Sequence, residues 1–152
     1  MSFLGVSLSD IHSNGSGLGS SSAVLVGALN AISLYSGNIK SSEMLFQEAC
    51  KIEIDLLKKP IGIQDQAAAA FGGFSVFEFT KKRIVKQEKI NITDDLINEM
   101  FSNFLLFYTR KDRQSANILE KQNSALHLNV SHLNEIKAIA QEAKSIVYAG
   151  NY

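Results

Sequence analysis

The chain has 152 residues, 45% apolar and 20% charged, an ordinary balance for a globular domain and enough to build a core. Its 15 basic and 15 acidic residues cancel, so no bulk field recruits nucleic acid or an anionic membrane. No apolar run reaches transmembrane length, the start lacks a basic signal-peptide region, and the single Cys50 excludes an internal disulfide; a cytoplasmic location is the expectation.

In chain order, residues 3–8 read as a short strand, and residues 10–14 are turn-rich. Residues 15–23 form a glycine/serine run, Gly15-Ser16-Gly17-Leu18-Gly19-Ser20-Ser21-Ser22-Ala23, leading directly into a helix over about 21–35. Ser36-Gly37-Asn38 ends that helix, and Ser41 or Ser42 caps the next, which is expected to run to about Lys58. The core stripe predicted for it is Leu45, Ala49, Ile52 and Leu56. Pro60 and Gly62 mark a loop through Asp65, and an alanine-rich turn over 66–71 breaks at Gly72-Gly73.

Residues 74–79 and 84–87 then read as a hairpin, with Lys81-Lys82-Arg83 as a solvated basic turn. Thr93 or Asp94 starts a short helix to about Ser102. Residues 104–108 lack polar alternation and are predicted to be a strand buried on both faces. Two helices close the chain, over about 114–127 and from about Ser131, the last carrying Leu133, Ile136, Ala140, Ala143 and Val147 on one face.

Three stretches carry chemistry. In the glycine/serine run, three alternating glycines let an anion approach the backbone amides, and the serines fall where a helix start offers unpaired N–H groups and partial positive charge. This suits a nucleotide phosphate. The run lacks the Gly-Lys-Ser/Thr ending of a Walker A loop, and Ser20 stands where a dinucleotide fingerprint needs glycine. In Gly62-Ile63-Gln64-Asp65-Gln66, Asp65 is placed either to cap a helix or to orient an acceptor hydroxyl in phosphoryl transfer. Glu53, on the flank of its helix's core stripe, reads by itself as a solvated boundary residue; with one loop serine it would also make the carboxylate–hydroxyl pair that Mg2+ takes from a protein. His127 and His132 have no metal-ligand spacing and read as capping or surface residues.

Together these stretches resemble the GHMP kinases, whose phosphate loop reads Gly-x-Gly-Leu-Gly-Ser-Ser-x-Ala. Ser9-Asp10-Ile11, the Gln-Asp-Gln segment with Ala68-Ala69-Ala70-Phe71-Gly72-Gly73-Phe74, and Leu106-Phe107-Tyr108-Thr109 with Arg113, Ala116, Ile118, Leu119 and Gln122 resemble its heptose 7-phosphate kinase branch. The resemblance implies an α+β fold, with the glycine-rich loop leading into a helix and helices packed on a small mixed sheet. It implies that Gly15, Ser16, Gly17, Leu18, Gly19, Ser20, Ser21 and Ser22 wrap the ATP triphosphate, that Ser21 and Glu53 hold Mg2+, and that Asp65 is the catalytic base or orienting group. Gln64, Asp65 and Arg113 would face the substrate. The implied reaction moves the γ-phosphoryl of ATP to the anomeric hydroxyl of a sugar phosphate, most specifically heptose 7-phosphate, giving the 1,7-bisphosphate used for surface polysaccharide.

The sequence also departs from the family. His12-Ser13-Asn14 replaces the usual proline before the loop, and Arg110 stands where glycine is usual. An N-terminal Gly-Gly-Gly-Thr-Asp type segment and a C-terminal glycine-rich motif are both missing. The chain is therefore expected to be the central portion of a longer kinase, truncated at both ends. Residues 1–100 would be the end of the ATP-binding domain and 101–152 the start of the next, with exposed sheet edges able to pair copies of the chain. Alternative readings are a catalytically silent fragment and a GHMP kinase for another sugar, such as galactose.

Overall fold

The computed structural model describes residues 19–80, 84–105, 107 and 130–150. The strand over 3–8, most of the phosphate loop, the Lys81-Lys82-Arg83 turn and the helix over 114–127 lie outside these residues. The chain divides into two compact units, and the described residues fall into them as 19–72 and 73–150.

The first unit is helical. Helix α1 covers Ser20–Tyr35. Its end is closed by the Ser36 N–H on the Ile32 carbonyl (3.0 Å) and the Asn38 N–H on the Ser33 carbonyl (2.8 Å), so the last carbonyls are not orphaned. Helix α2 covers Ser42–Cys50, and its N-cap is Ser41, whose hydroxyl accepts the Met44 N–H.

From Lys51 to Leu56 the helix continues in π geometry, with the Leu57 N–H reaching back five residues to the Ile52 carbonyl (2.9 Å). This wider turn corrects the predicted stripe. Leu45 and Ala49 are buried, but Leu56 is exposed, because the change of winding rotates everything after Cys50 relative to a 3.6-residue repeat. Phe46, Cys50 and Glu53 take the inward face instead. Helix α3 covers Gln64–Phe71, starting two residues before the predicted turn; Ile63 is its N-cap, so Asp65 lies in its first turn and does not cap it.

These three helices pack on one another. Val26 of α1 meets Leu45 and Ala49 of α2, with Leu25, Leu29, Ala69 and Ala70 around them. Ala49 and Ala67 are fully buried, and methyl side chains at both positions let the helices approach closely. The Phe46 and Phe71 rings close one side at 5.9 Å between centroids.

The second unit holds an antiparallel hairpin. Strand β1, Ser75–Phe79, pairs with β2, Val85–Lys89, with Phe77 opposite Gln87. Among the described residues the sheet has two strands, both of them edges. Helix α4, Asp94–Ser102, is capped by Thr93, one of the two starts that the sequence offers, whose hydroxyl accepts the Leu96 N–H. Helix α5 covers Val130–Tyr148. Its Lys144 bridges Glu88 (2.9 Å) and Glu78 (3.6 Å) of the hairpin and lies 5.6 Å from the centre of the Tyr148 ring.

One expectation fails in this unit. Residues 104, 105 and 107 form no strand, and Leu105 is 80% exposed; no described strand offers a ladder to them. The five residues that share one face of α5 are little covered: Leu133 and Val147 are half-covered, while Ile136, Ala140 and Ala143 are exposed.

Candidate functional site

The site lies where the starts of α1 and α3 meet the π-helical segment. Gly19 ends the glycine/serine run in a left-handed conformation (φ 69°), which glycine adopts without strain and which turns the chain into α1. The Asp65 side chain lies beside it: a Cβ on Gly19 would be in ordinary van der Waals contact, 3.5 Å from Asp65 Cγ and 3.7 Å from Oδ2. The Asp65 carboxylate thus lies directly against the N-terminus of α1. No acidic residue occupies the first turn of α1, so the helix itself places no negative charge at its positive end.

Beneath this point is Glu53, 1% exposed, where the residues by themselves read it as a solvated boundary position. It lies four residues after Ala49 and seven after Phe46, on the buried side of its helix, and four donors compensate its charge. Oε1 accepts from the Ser21 hydroxyl (2.9 Å) and the Lys59 ammonium (2.8 Å); Oε2 accepts from the Ser22 hydroxyl (2.7 Å) and the Gln66 amide (2.6 Å). A carboxylate has about four lone-pair sites, and all four are used. Burial is the largest influence on this carboxyl and pushes its pKa up. The bonds from Lys59, Ser22, Ser21 and Gln66 together outweigh it and hold the group below the ordinary glutamate value.

Lys59 reaches this position through an unusual backbone. Lys58 has φ 53°, a left-handed conformation that costs a side-chain-bearing residue about 1–2 kcal/mol. The chain folds back there, so the Lys59 N–H bonds the Glu53 carbonyl (3.0 Å) while its ammonium bonds both Glu53 and the Ser21 hydroxyl (3.0 Å). After this turn the loop enters α3 through Gly62. A Cβ there would collide with the Gln64 amide, which folds back over the glycine.

Of the residues read as functional in the sequence, Gly19, Ser20, Ser21, Ser22, Glu53, Gln64 and Asp65 are described. Ser21, Ser22 and Glu53 are bonded into one network, and Asp65 touches Gly19. Gly15, Ser16, Gly17, Leu18 and Arg113 lie outside the described residues. Sequence reading missed two members of the network. Lys59 carried no sequence signal, and Gln66 stood out only as an amide flanking Asp65. Gln66 is fully buried and keeps its Oε1 without a hydrogen-bond partner, so it has acceptor capacity to spare.

Ser21 Oγ and Glu53 Oε1 supply the oxygen donors that Mg2+ prefers. Lys59, which now bridges them, is 39% exposed along its side chain, so this edge of the pair opens to solvent when the ammonium moves. The residues present fit such an ion. Among the described residues no group of three or more His, Cys, Asp or Glu gathers, so the remaining ligands would be phosphate oxygens and water.

Two comparisons bear on this geometry. Residues 5–73 match the model of the GHMP kinases N-terminal domain. Over 139 residues the chain is 32% identical to the D-glycero-alpha-D-manno-heptose 7-phosphate kinase of Campylobacter jejuni subsp. jejuni serotype O:2. That similarity covers 89% of this chain and 39% of the relative, so the chain spans about two fifths of the length of the curated protein it matches.

Proposed function

Because the chain belongs to the GHMP kinases, whose N-terminal domain it carries over residues 5–73, we propose that it serves ATP-dependent phosphorylation of a sugar phosphate, with heptose 7-phosphate as acceptor. The observation that carries this reading is the Asp65 carboxylate held against Gly19 at the N-terminus of α1. An anion bound by those amides and an acceptor hydroxyl bound by Asp65 would be neighbours, which is the arrangement in-line phosphoryl transfer needs.

Gly15 to Ser22 would bind the triphosphate through backbone amides, and Ser21 with Glu53 would hold Mg2+, which when bound offsets charge on the phosphate oxygens. Asp65 orients the acceptor hydroxyl. The acceptor oxygen forms a bond to the γ-phosphorus, the bond to the β–γ bridging oxygen breaks, and ADP leaves with that electron pair. The hydroxyl proton passes to Asp65. Gln64, folded over Gly62, and Arg113 would face the sugar phosphate. Residues 1–100 would close the ATP-binding domain and 101–152 open the next one. The reading implies work on cytoplasmic ATP; among the described residues no helix is long and apolar enough to cross a membrane.

The test is ADP release by the 152-residue chain with Mg-ATP and heptose 7-phosphate, beside galactose as a competing acceptor. Asp65→Asn is expected to lower turnover by about 10²–10⁴-fold, the usual contribution of a positioned proton acceptor, with nucleotide affinity nearly unchanged. Full turnover in that variant would remove Asp65 from the mechanism. Nucleotide binding without any turnover by the parent chain would leave a binding module in place of a kinase.

A further inference from the structure

Glu53 already has a cation. The Lys59 ammonium sits 2.8 Å from Oε1 and 3.0 Å from the Ser21 hydroxyl, bridging the same two oxygens that a divalent ion would bridge. A monovalent and a divalent cation cannot share that edge, because their repulsion at such distances is large in a partly buried site. The rest of the network needs no such exchange: Ser22 and Gln66 hold Oε2 from the buried side.

We propose that Lys59 is an exchangeable counter-ion. In the metal-free chain it keeps the Ser21–Glu53 pair assembled; when a divalent cation arrives with nucleotide, Lys59 gives up Oε1 and swings to solvent. Three features support this beyond the distances. The left-handed Lys58 turn brings Lys59 back over Glu53 at a conformational cost. Lys59 is anchored by its own backbone N–H on the Glu53 carbonyl, so its side chain can leave without the loop moving. Its stem is 39% exposed while its partner carboxylate is 1% exposed, so the mobile member of the pair is the lysine. Lys59 is thus a positioning residue, and the inference rests on the reading of Glu53 and Ser21 as metal-holding residues.

The experiment uses Mn2+ as a paramagnetic stand-in for Mg2+. Binding to the 152-residue chain is followed by electron paramagnetic resonance in the presence of a non-hydrolysable ATP analogue, with melting temperature recorded without metal. Lys59→Met is expected to bind Mn2+ about tenfold more tightly, within the usual range for coupled sites, because the competing ammonium is gone. The same variant is expected to melt at lower temperature without metal and to regain most of the difference when Mn2+ and nucleotide are added. Lys59→Gln, which keeps a donor without the charge, covers the case in which the methionine variant does not fold, and it too is expected to bind Mn2+ more tightly. Equal or weaker Mn2+ binding in the folded variants overturns the proposal. So does Mn2+ binding that Glu53→Gln leaves unchanged, since the ion is then elsewhere; nucleotide binding and ADP release, read separately, would show whether the kinase reading survives that result.

Discussion

At the residue scale the chain is organised by one buried carboxylate. Glu53 was visible in the sequence only as an acid on a helix flank, and its pairing with Ser21 followed from family resemblance. The structure adds the donors that no spacing rule could supply. Ser22 and Gln66 lie 31 and 13 residues away from Glu53, and Lys59 is aimed by the left-handed residue before it. A local pattern cannot reveal a partner brought in by tertiary packing. The network makes stability depend on pH in a definite direction. The folded-state pKa of Glu53 is depressed, so its contribution is fully present above the unfolded-state pKa of about 4.3 and is lost as pH falls through the lower folded value. Melting temperature of the metal-free chain is therefore expected to fall as pH drops from about 5 through the unfolded-state value and below it, and Glu53→Gln should flatten that part of the profile. An unchanged slope in the variant would place the acid sensitivity elsewhere.

At the element scale, capping was legible and winding was not. Ser41 and Thr93 are N-caps because a short hydroxyl side chain in extended conformation meets the third following amide, a rule that needs only four residues of sequence. Ser41→Ala is expected to destabilise the chain by about 1 kcal/mol in urea unfolding, with nucleotide binding unchanged because α2 begins a full helix away from Glu53. A loss of binding as large as the loss of stability would tie α2 to the site more closely than the bonds show. The π-helical segment was hidden because a search for apolar residues assumes 3.6 residues per turn throughout. Leu56 fits that repeat and faces solvent, while Glu53 breaks the pattern and lies inside. The strand expected at residues 104–108 shows a second limit: an apolar run signals burial or a strand only when some neighbour supplies the ladder or the cover.

At the scale of the whole molecule, the two units differ in how they bury their residues. Among the described residues the buried apolar side chains, Val26, Leu45, Phe46, Ala49, Cys50 and Ala67, all belong to the first unit. In the second, α4 and α5 have no buried residue, and the hairpin is joined to α5 through Lys144 and its exposed carboxylates. Exposed ion pairs of this kind contribute little to stability. Amide hydrogen exchange is accordingly expected to be slowest around Val26, Ala49 and Ala67 and at least about tenfold faster along α5, since local opening tracks buried contact. Equal protection in both units would mean that α5 has a cover the described residues do not reveal.

The glutamate network also bears on the order in which this chain acquires its shape. Helices form from contacts three to five residues apart, but the Ser22–Glu53 bond closes a loop of 31 residues and the Glu53–Gln66 bond one of 13. Closing such loops costs entropy that only completed packing returns, so local helices come first and these bonds last. Until then Glu53 is an ordinary hydrated acid. The cluster that would hold the ion is therefore a late product of folding: a chain that has made its helices but not yet docked them has no site to fill.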